Sequence, residues 1–74
     1  MTTYTGCVGR WAVVGGVCSF VIFDFTIGTL QSPNPMVFND VTDPVLVAAI
    51  VAAKGQAVDV TVDGNGNVVG IASH

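Results

Sequence analysis

The sequence predicts a small, mainly β domain with one helix, and three observations support that prediction. The chain has 74 residues, which is enough for one domain spanning residues 1–74. Two glycine-containing turns, Gly15-Gly16 and Asn65-Gly66, each separate runs rich in β-branched and aromatic residues. Asp43-Pro44 opens an apolar run with the start signals of a helix. The predicted order is strand, strand, short strand, helix, strand, strand.

The composition limits the classes of function. Hydrophobic residues make up 51% of the chain and charged residues only 9%, with a net charge of −3. Intrinsic disorder requires the opposite balance, so a folded domain is expected. The only basic residues are Arg10 and Lys54. Because affinity for nucleic acid comes largely from Lys and Arg, we expect no nucleic-acid partner.

The first hairpin is predicted to join Thr3–Val14 to Val17–Ile27 through the Gly15-Gly16 turn. Opposed residue numbers then sum to 31, which pairs Trp11 with Phe20, Arg10 with Val21, Val8 with Phe23, and Cys7 with Asp24. In this register both faces are largely apolar, with Cys7, Trp11, Cys18 and Phe20 on one and Val8 and Phe23 on the other. Such a hairpin must be covered on both sides, by its own barrel or by another subunit.

A loop over Gly28–Pro35 and a short strand over Met36–Phe38 are predicted to precede the helix. Asp43 is the expected N-cap, with Thr42 as the other candidate, and Val45–Lys54 is the expected helix. Gly55 is the residue expected to end it. The helix body has no polar side chain. Such a helix is either buried all round, or its alanines simply tolerate solvent, and both interpretations stay open.

The second hairpin is predicted from the alternating strand Ala57–Asp63 and the Asn65-Gly66 turn. Its opposed residue numbers sum to 131, which pairs Val62 with Val69 and Val60 with Ile71. The Asp63–Asn67 segment resembles the start of a calcium loop, but Val68 and His74 occupy positions that need glycine and an acid. The turn accounts for the same residues, and we therefore expect no metal site.

This element order resembles that of the OB-fold, a five-stranded barrel with a helix between its third and fourth strands. The resemblance is one of topology, and an SH3-like barrel or an α+β sheet with one helix is the alternative. OB-folds commonly bind single-stranded nucleic acid, which the low number of cations disfavours here.

No catalytic set can be assembled from the sequence, so we expect no enzyme and no cofactor. His74, the only histidine, ends the sequence.

In the predicted register Cys7 and Cys18 lie too far apart for a disulfide, and both are expected to be buried and free. Free thiols and the lack of a signal segment predict the cytoplasm. A membrane span around Trp11–Phe23 is a minor alternative, because Asp24 would place a carboxylate in it.

The leading hypothesis is a self-associating or protein-binding module, with a homodimer as the expected state. Seven charged residues cannot cover the large surface fraction of so small a domain, and exposed apolar patches mark interfaces. The interface candidates are Val45, Val47, Ala48, Val51, Ala52, Phe23 and Phe25.

The alternative is a pocket for a small apolar ligand lined by Trp11, Phe20 and Asp24. Asp24 has a second interpretation, as a gatekeeper charge that opposes strand aggregation.

Overall fold

The computed structural model describes residues 1–74 as six β-strands and one α-helix. The elements are β1 (Thr2–Val14), β2 (Val17–Ile27), β3 (Leu30–Gln31), β4 (Met36–Val41), α1 (Pro44–Ala52), β5 (Ala57–Val62) and β6 (Val68–Ser73). The strands form one antiparallel sheet in the order β3-β2-β1-β5-β6, and β4 pairs with β2 outside this path. The sheet does not close on itself. The prediction of a mainly β chain with one helix is therefore confirmed.

The first hairpin turns where the sequence predicts, but its register slips twice. Gly15 and Gly16 both have positive φ, as a type I′ turn requires, and Trp11 lies opposite Phe20. Between the two slips the prediction is wrong, because the pairs are Val8 with Ile22 and Cys7 with Phe23, not Val8 with Phe23 and Cys7 with Asp24. The predicted register returns at Thr5, which lies opposite Thr26. Irregularities between Thr5 and Cys7 and between Val8 and Arg10 cause the slips.

These slips decide which side chains of β1 are buried. Val8 joins Ile22 in the core and is fully buried, whereas Cys7 lies on the opposite side of the strand and is exposed. The prediction of a buried Cys7 is therefore wrong, and that of a buried Cys18 is confirmed. Both thiols are free.

The second hairpin matches its predicted register except at the turn. Val60 lies opposite Ile71, but Val62 lies opposite Val68 rather than Val69, since the register shifts between Thr61 and Val62. Valines 58, 60 and 62 are buried, which confirms the predicted alternation.

The helix begins as the sequence predicts and ends earlier. The Asp43 carboxylate accepts a hydrogen bond from the amide of Val45 at 2.9 Å, and Pro44 takes the first helical position. The helix ends at Ala52 instead of Lys54, and Gly55 turns the chain with φ +81. The Gly55 amide then donates to the carbonyl of Val8 at 2.7 Å, which fastens the end of the helix to the sheet.

The segment before the helix contains more strand than the sequence predicts. The two residues of β3 fall within the predicted loop, and β4 runs three residues beyond Phe38 to Val41. Asp40, inside β4, has φ +62. Asn and Asp tolerate this left-handed conformation better than most residues, which lets the strand continue to its buried end at Val41.

One hydrophobic core lies between the inner side of the sheet and α1. Its ten buried residues are Val8, Cys18, Phe20, Ile22, Phe38, Val41, Ile50, Val58, Val60 and Val62. The rings of Phe20 and Phe38 stack with centroids 5.0 Å apart, and Tyr4 meets Phe38 edge-on. The helix contributes only Ile50 to the fully buried set. No helix here has both the length and the apolar character needed to cross a bilayer.

Candidate association surfaces

The two sides of β2 have equally apolar side chains but very different burial. Cys18, Phe20 and Ile22 point inward and are buried. The residues between and beside them point to the other side of the sheet, where they are exposed or half-buried. A sheet with an apolar outward side is the arrangement that normally requires a second covering layer.

The large apolar residues on the outward side of three neighbouring strands form what we call the outer apolar surface, which Ser19 interrupts between Val17 and Val21. It comprises Val14 on β1, Val17, Val21 and Phe23 on β2, and Val37 on β4. Val37 is 57% exposed and Phe23 is 40% exposed. Arg10, opposite Val21, is the only charged residue that pairs directly with one of the five. Exposed apolar patches on small domains are commonly sites of contact with other molecules.

The same side of the sheet is polar where β1 meets β5. Thr5 Oγ1 donates to Asp59 Oδ1 at 2.6 Å, and His74 Nδ1 lies 3.0 Å from the same oxygen. A carboxylate can only accept, so Nδ1 carries the proton in this contact. The outward side of the sheet thus has two parts along β1. It is polar at Thr3 and Thr5 and apolar at Val14.

The Asp59–His74 pair resembles the orienting half of a catalytic triad, but no nucleophile completes it. The hydroxyl of Thr5 donates to the carboxylate and not to the imidazole, so the histidine does not activate it. No three His, Cys, Asp or Glu side chains come together in a way that could hold a metal ion. The polar end of the sheet is accounted for by hydrogen bonds within the chain.

The helix carries a second uncovered apolar strip. Val45, Ala48, Val51 and Ala52 are all exposed, with Val45 at 75%, and we call them the helix stripe. Of the other interface candidates, Val47 is half-buried against the core, and Phe25 is half-buried with its ring 6.1 Å from that of Tyr4. Phe23 belongs to the outer apolar surface. Five of the seven predicted interface residues are therefore accessible to a partner.

The residues predicted to line a ligand pocket are only partly brought together. Trp11 and Phe20 are cross-strand neighbours beside a shallow depression of about 140 Å³. Phe20 is almost fully buried, and the Trp11 indole N–H is buried without a hydrogen-bond partner. Asp24 does not line this depression. It is exposed near the far end of β2 with φ +52.

The two cysteines differ in environment as well as in exposure. Burial raises the pKa of the Cys18 thiol, which keeps it protonated and unreactive at neutral pH. Cys7 lies opposite Phe23 on the outward side of the sheet. Because the two thiols point to opposite sides of the sheet, they cannot form an intrachain disulfide.

Comparison with protein-family models, curated proteins and solved structures found no match to this chain.

Val37 was not among the interface residues predicted from the sequence. Its strand was predicted to contain three residues, too few to show alternation. The longer β4 places Val37 directly opposite Val21, where it extends the outer apolar surface to a third strand. The apolar residues on both sides of β2 did indicate that the sheet has an uncovered apolar side. They did not indicate which of the two sides it would be.

Proposed function

We propose that this chain is a non-enzymatic module that associates with a second copy of itself or with another protein through its uncovered apolar surfaces. The outer apolar surface is the observation that carries the proposal. Its residues sit on a rigid three-stranded part of the sheet rather than on a loop, as expected of a preformed interface. Burial of apolar area of this kind is the main favourable term in protein association.

The finer architecture that we propose is an OB-like barrel left open. Apart from the two-residue β3, the element order is strand, strand, strand, helix, strand, strand, as in that fold. OB-folds bind ligands on the face formed by their second and third strands. The corresponding strands here, β2 and β4, carry most of the outer apolar surface. A valine-rich binding face with one arginine beside it favours a protein partner over nucleic acid.

Light scattering and analytical ultracentrifugation from low micromolar to submillimolar concentration test the proposal. We expect the average mass to rise above the 7.6 kDa of one chain as concentration increases. Val37→Lys, on the outer apolar surface, and Thr61→Lys, on the polar part of the same side, form a matched pair. If a protein partner uses the outer apolar surface, only Val37→Lys weakens its binding. A chain that stays monomeric throughout and binds no protein contradicts the proposal.

The second candidate function is binding of a small apolar ligand beside Trp11. Trp11 lines the depression, and its buried indole N–H has no hydrogen-bond partner, so a ligand that reached this group would gain from carrying an acceptor. The depression of about 140 Å³ is smaller than the roughly 300–1,000 Å³ of ordinary ligand pockets, which favours the association proposal. Quenching of Trp11 fluorescence by apolar metabolites would support a ligand site, and an unchanged spectrum would remove it.

Single-strand nucleic-acid binding is the least supported proposal. Arg10 lies in β1 and Lys54 follows α1, so the two cations do not form a continuous groove for phosphates. Titration of a labelled oligonucleotide at low salt tests it, and absence of binding would remove it.

The free thiols support our proposal that the chain works in the reducing cytoplasm.

A further inference from the structure

We propose that two copies of this chain pair edge to edge through β6, which joins their sheets into one. This inference rests on the self-association part of the proposed function, and it assigns the contact between two copies to a strand edge, which leaves the outer apolar surface to another protein. It concerns the free edge of β6 and not the outer apolar surface, which stays open in such a dimer.

β6 pairs with β5 on one side and has no strand on the other. The amide of His74 donates to the carbonyl of Ala57 at 3.1 Å, which makes these two residues a hydrogen-bonded pair. Since such pairs alternate along an antiparallel ladder, Ala72 with Asp59 is the next one. Ile71 and Ser73 fall between the hydrogen-bonded positions, so their N–H and C=O groups point away from β5 toward the free edge.

This edge lacks the features that usually prevent strand pairing. β6 contains no proline and no charged residue. By contrast, β4 follows Pro35 and contains Asp40 with φ +62, while β3 has only two residues. Among β3, β4 and β6, only β6 therefore has no feature that blocks another strand. The Arg10–Val14 part of β1 also pairs on one side only, but it carries the charge of Arg10.

The space beside this edge is suited to an added strand. A groove of about 210 Å³ lies between β6 and α1, with Ile71 and Ser73 on one wall and Ala49, Ala52 and Ala53 on the other. The alanine side chains keep the helix from filling the groove. A strand edge next to a helix is a setting in which an extended segment can add to a sheet by main-chain hydrogen bonds.

A second copy of β6 fits this edge because an antiparallel strand pair is related by a two-fold axis. With the axis at Ala72, Ile71 lies opposite Ser73 of the partner subunit, and Ser73 lies opposite Ile71 of the partner subunit. Each of these two pairs forms two main-chain hydrogen bonds, so all the groups that Ile71 and Ser73 present are satisfied. No like charges meet, since β6 carries none.

The expected area also favours a reversible dimer of this kind. Both helices lie on the same side of the joined sheet, and the helix stripe borders the seam through Ala52, which lines the groove. With the axis at Ala72, the paired stretch runs from Gly70 to His74, and five residues of strand span about 17 Å. The sheet and the helix layer on it are each about 10 Å deep, so the contact is roughly 340 Å² per copy. That is less than half of the roughly 800 Å² per partner of a standard stable interface, which predicts association only at elevated concentration.

Hydrogen exchange measured by NMR at several protein concentrations tests the pairing. We expect the amides of Ile71 and Ser73 to become protected as concentration rises, while Ala72, bonded within the chain, serves as the internal reference. Ser73→Pro removes an edge donor that the isolated chain does not use, and Ser73→Ala keeps that donor. Ser73→Pro should raise the dissociation constant at least tenfold, and Ser73→Ala should leave it within twofold.

The outcomes separate this inference from the proposed function. Concentration-dependent protection together with the loss of dimer in Ser73→Pro supports the pairing, provided circular dichroism shows that the variant is folded. A dimer in which Ile71 and Ser73 remain unprotected, or which Ser73→Pro leaves unchanged, overturns the pairing and leaves self-association standing. A wild-type chain that is monomeric at every concentration overturns the pairing. If it also binds no protein, the proposed function fails too.

Discussion

The ring of Phe23 lies directly over Gly9, on the outward side of the β1–β2 hairpin. A Cβ atom placed on Gly9 would sit 1.9 Å from Cε2 of that ring. The contact accompanies the register slip between Val8 and Arg10, which brings Cys7 and not Val8 opposite Phe23. Gly9 therefore leaves room for an aromatic side chain that would otherwise stand away from the sheet.

This contact predicts that the effect of Gly9→Ala changes sign with the residue at position 23. In the wild-type background the new methyl group displaces the ring, and we expect a loss of about 1 kcal/mol in the free energy of unfolding. In a Phe23→Ala background the clash is absent, so the same change should stabilise the strand by about 0.5 kcal/mol. Urea denaturation of the four proteins gives the coupling energy. Equal effects of Gly9→Ala in both backgrounds would contradict the contact.

The register slips show where sequence reasoning reaches its limit in this chain. Gly15-Gly16 and Asp43-Pro44 predicted a turn and a helix start correctly, because their backbone preferences are local. The slips near Gly9 could not be predicted in the same way. Both faces of the hairpin are apolar. A shift of one residue in the pairing of β1 with β2 therefore exchanges two similar faces and leaves the hydrophobic pattern almost unchanged.

The same ambiguity explains why the candidate surfaces were predicted only in part. Phe23 was proposed as an interface residue because the hairpin has two apolar faces. The side of β2 that remains uncovered depends on where α1 packs, and that contact is long-range. The helix itself has no polar residue, so its sequence does not indicate that Ile50 alone becomes fully buried.

Asp24 offers a test that separates its backbone role from its charge. Its φ of +52 is tolerated by Asp and Asn but costs a β-branched residue roughly 1–2 kcal/mol. We expect Asp24→Asn to keep the free energy of unfolding within about 0.5 kcal/mol of wild type, and Asp24→Val to lower it by about 1–2 kcal/mol. Chemical denaturation monitored by circular dichroism measures both. A Val variant as stable as the Asn variant would show that the conformation imposes no constraint.

The charge of Asp24 makes a further prediction about aggregation. The residue interrupts an apolar stretch between Phe20 and Ile27, where a charge acts as a gatekeeper. Asp24→Asn removes the charge and keeps the backbone preference, so it should aggregate faster during refolding than wild type. Light scattering after dilution from urea records the difference, and Asp43→Asn serves as a control that removes a charge elsewhere. If the two variants aggregate equally fast, the gatekeeper interpretation is wrong.

The turn at Asp63 predicts a stability that depends on pH. Its carboxylate accepts hydrogen bonds from the amides of Asn67 and Asn65, both at 2.9 Å, which lower the pKa of Asp63 in the folded chain. A lowered folded pKa gives a stabilisation that is complete above the unfolded pKa and is lost as pH falls through the folded pKa. Asp63→Asn should therefore be less stable than wild type at pH 7. The difference should shrink on acidification below the unfolded value of 3.8.

Urea denaturation of the wild type and Asp63→Asn at neutral and acidic pH measures that difference. Asp40→Asn is a suitable control, because no hydrogen bond to the Asp40 carboxylate is found in the structure. A difference between wild type and Asp63→Asn that does not change with pH would show that these hydrogen bonds do not favour the charged form.

Ile50 holds the helix to the sheet, and its replacement should cost far more than any change in the helix stripe. It is fully buried, whereas Val45, five residues earlier, is 75% exposed. Ile50→Ala leaves a cavity beneath the helix and should lower the free energy of unfolding by about 2–4 kcal/mol. Val45→Ala removes exposed methyl groups and should change it by less than about 0.5 kcal/mol, because alanine also has the higher helix propensity.

Thermal and urea denaturation of the two variants, under dilute conditions where the wild type is monomeric, measures this contrast. Dilute conditions are needed because association of two chains would itself stabilise the folded state and change the measured free energies of unfolding. Similar losses for both variants in the monomer would mean that Val45 is buried in solution. The helix would then pack on the sheet through a different side, and the helix stripe could not border the seam.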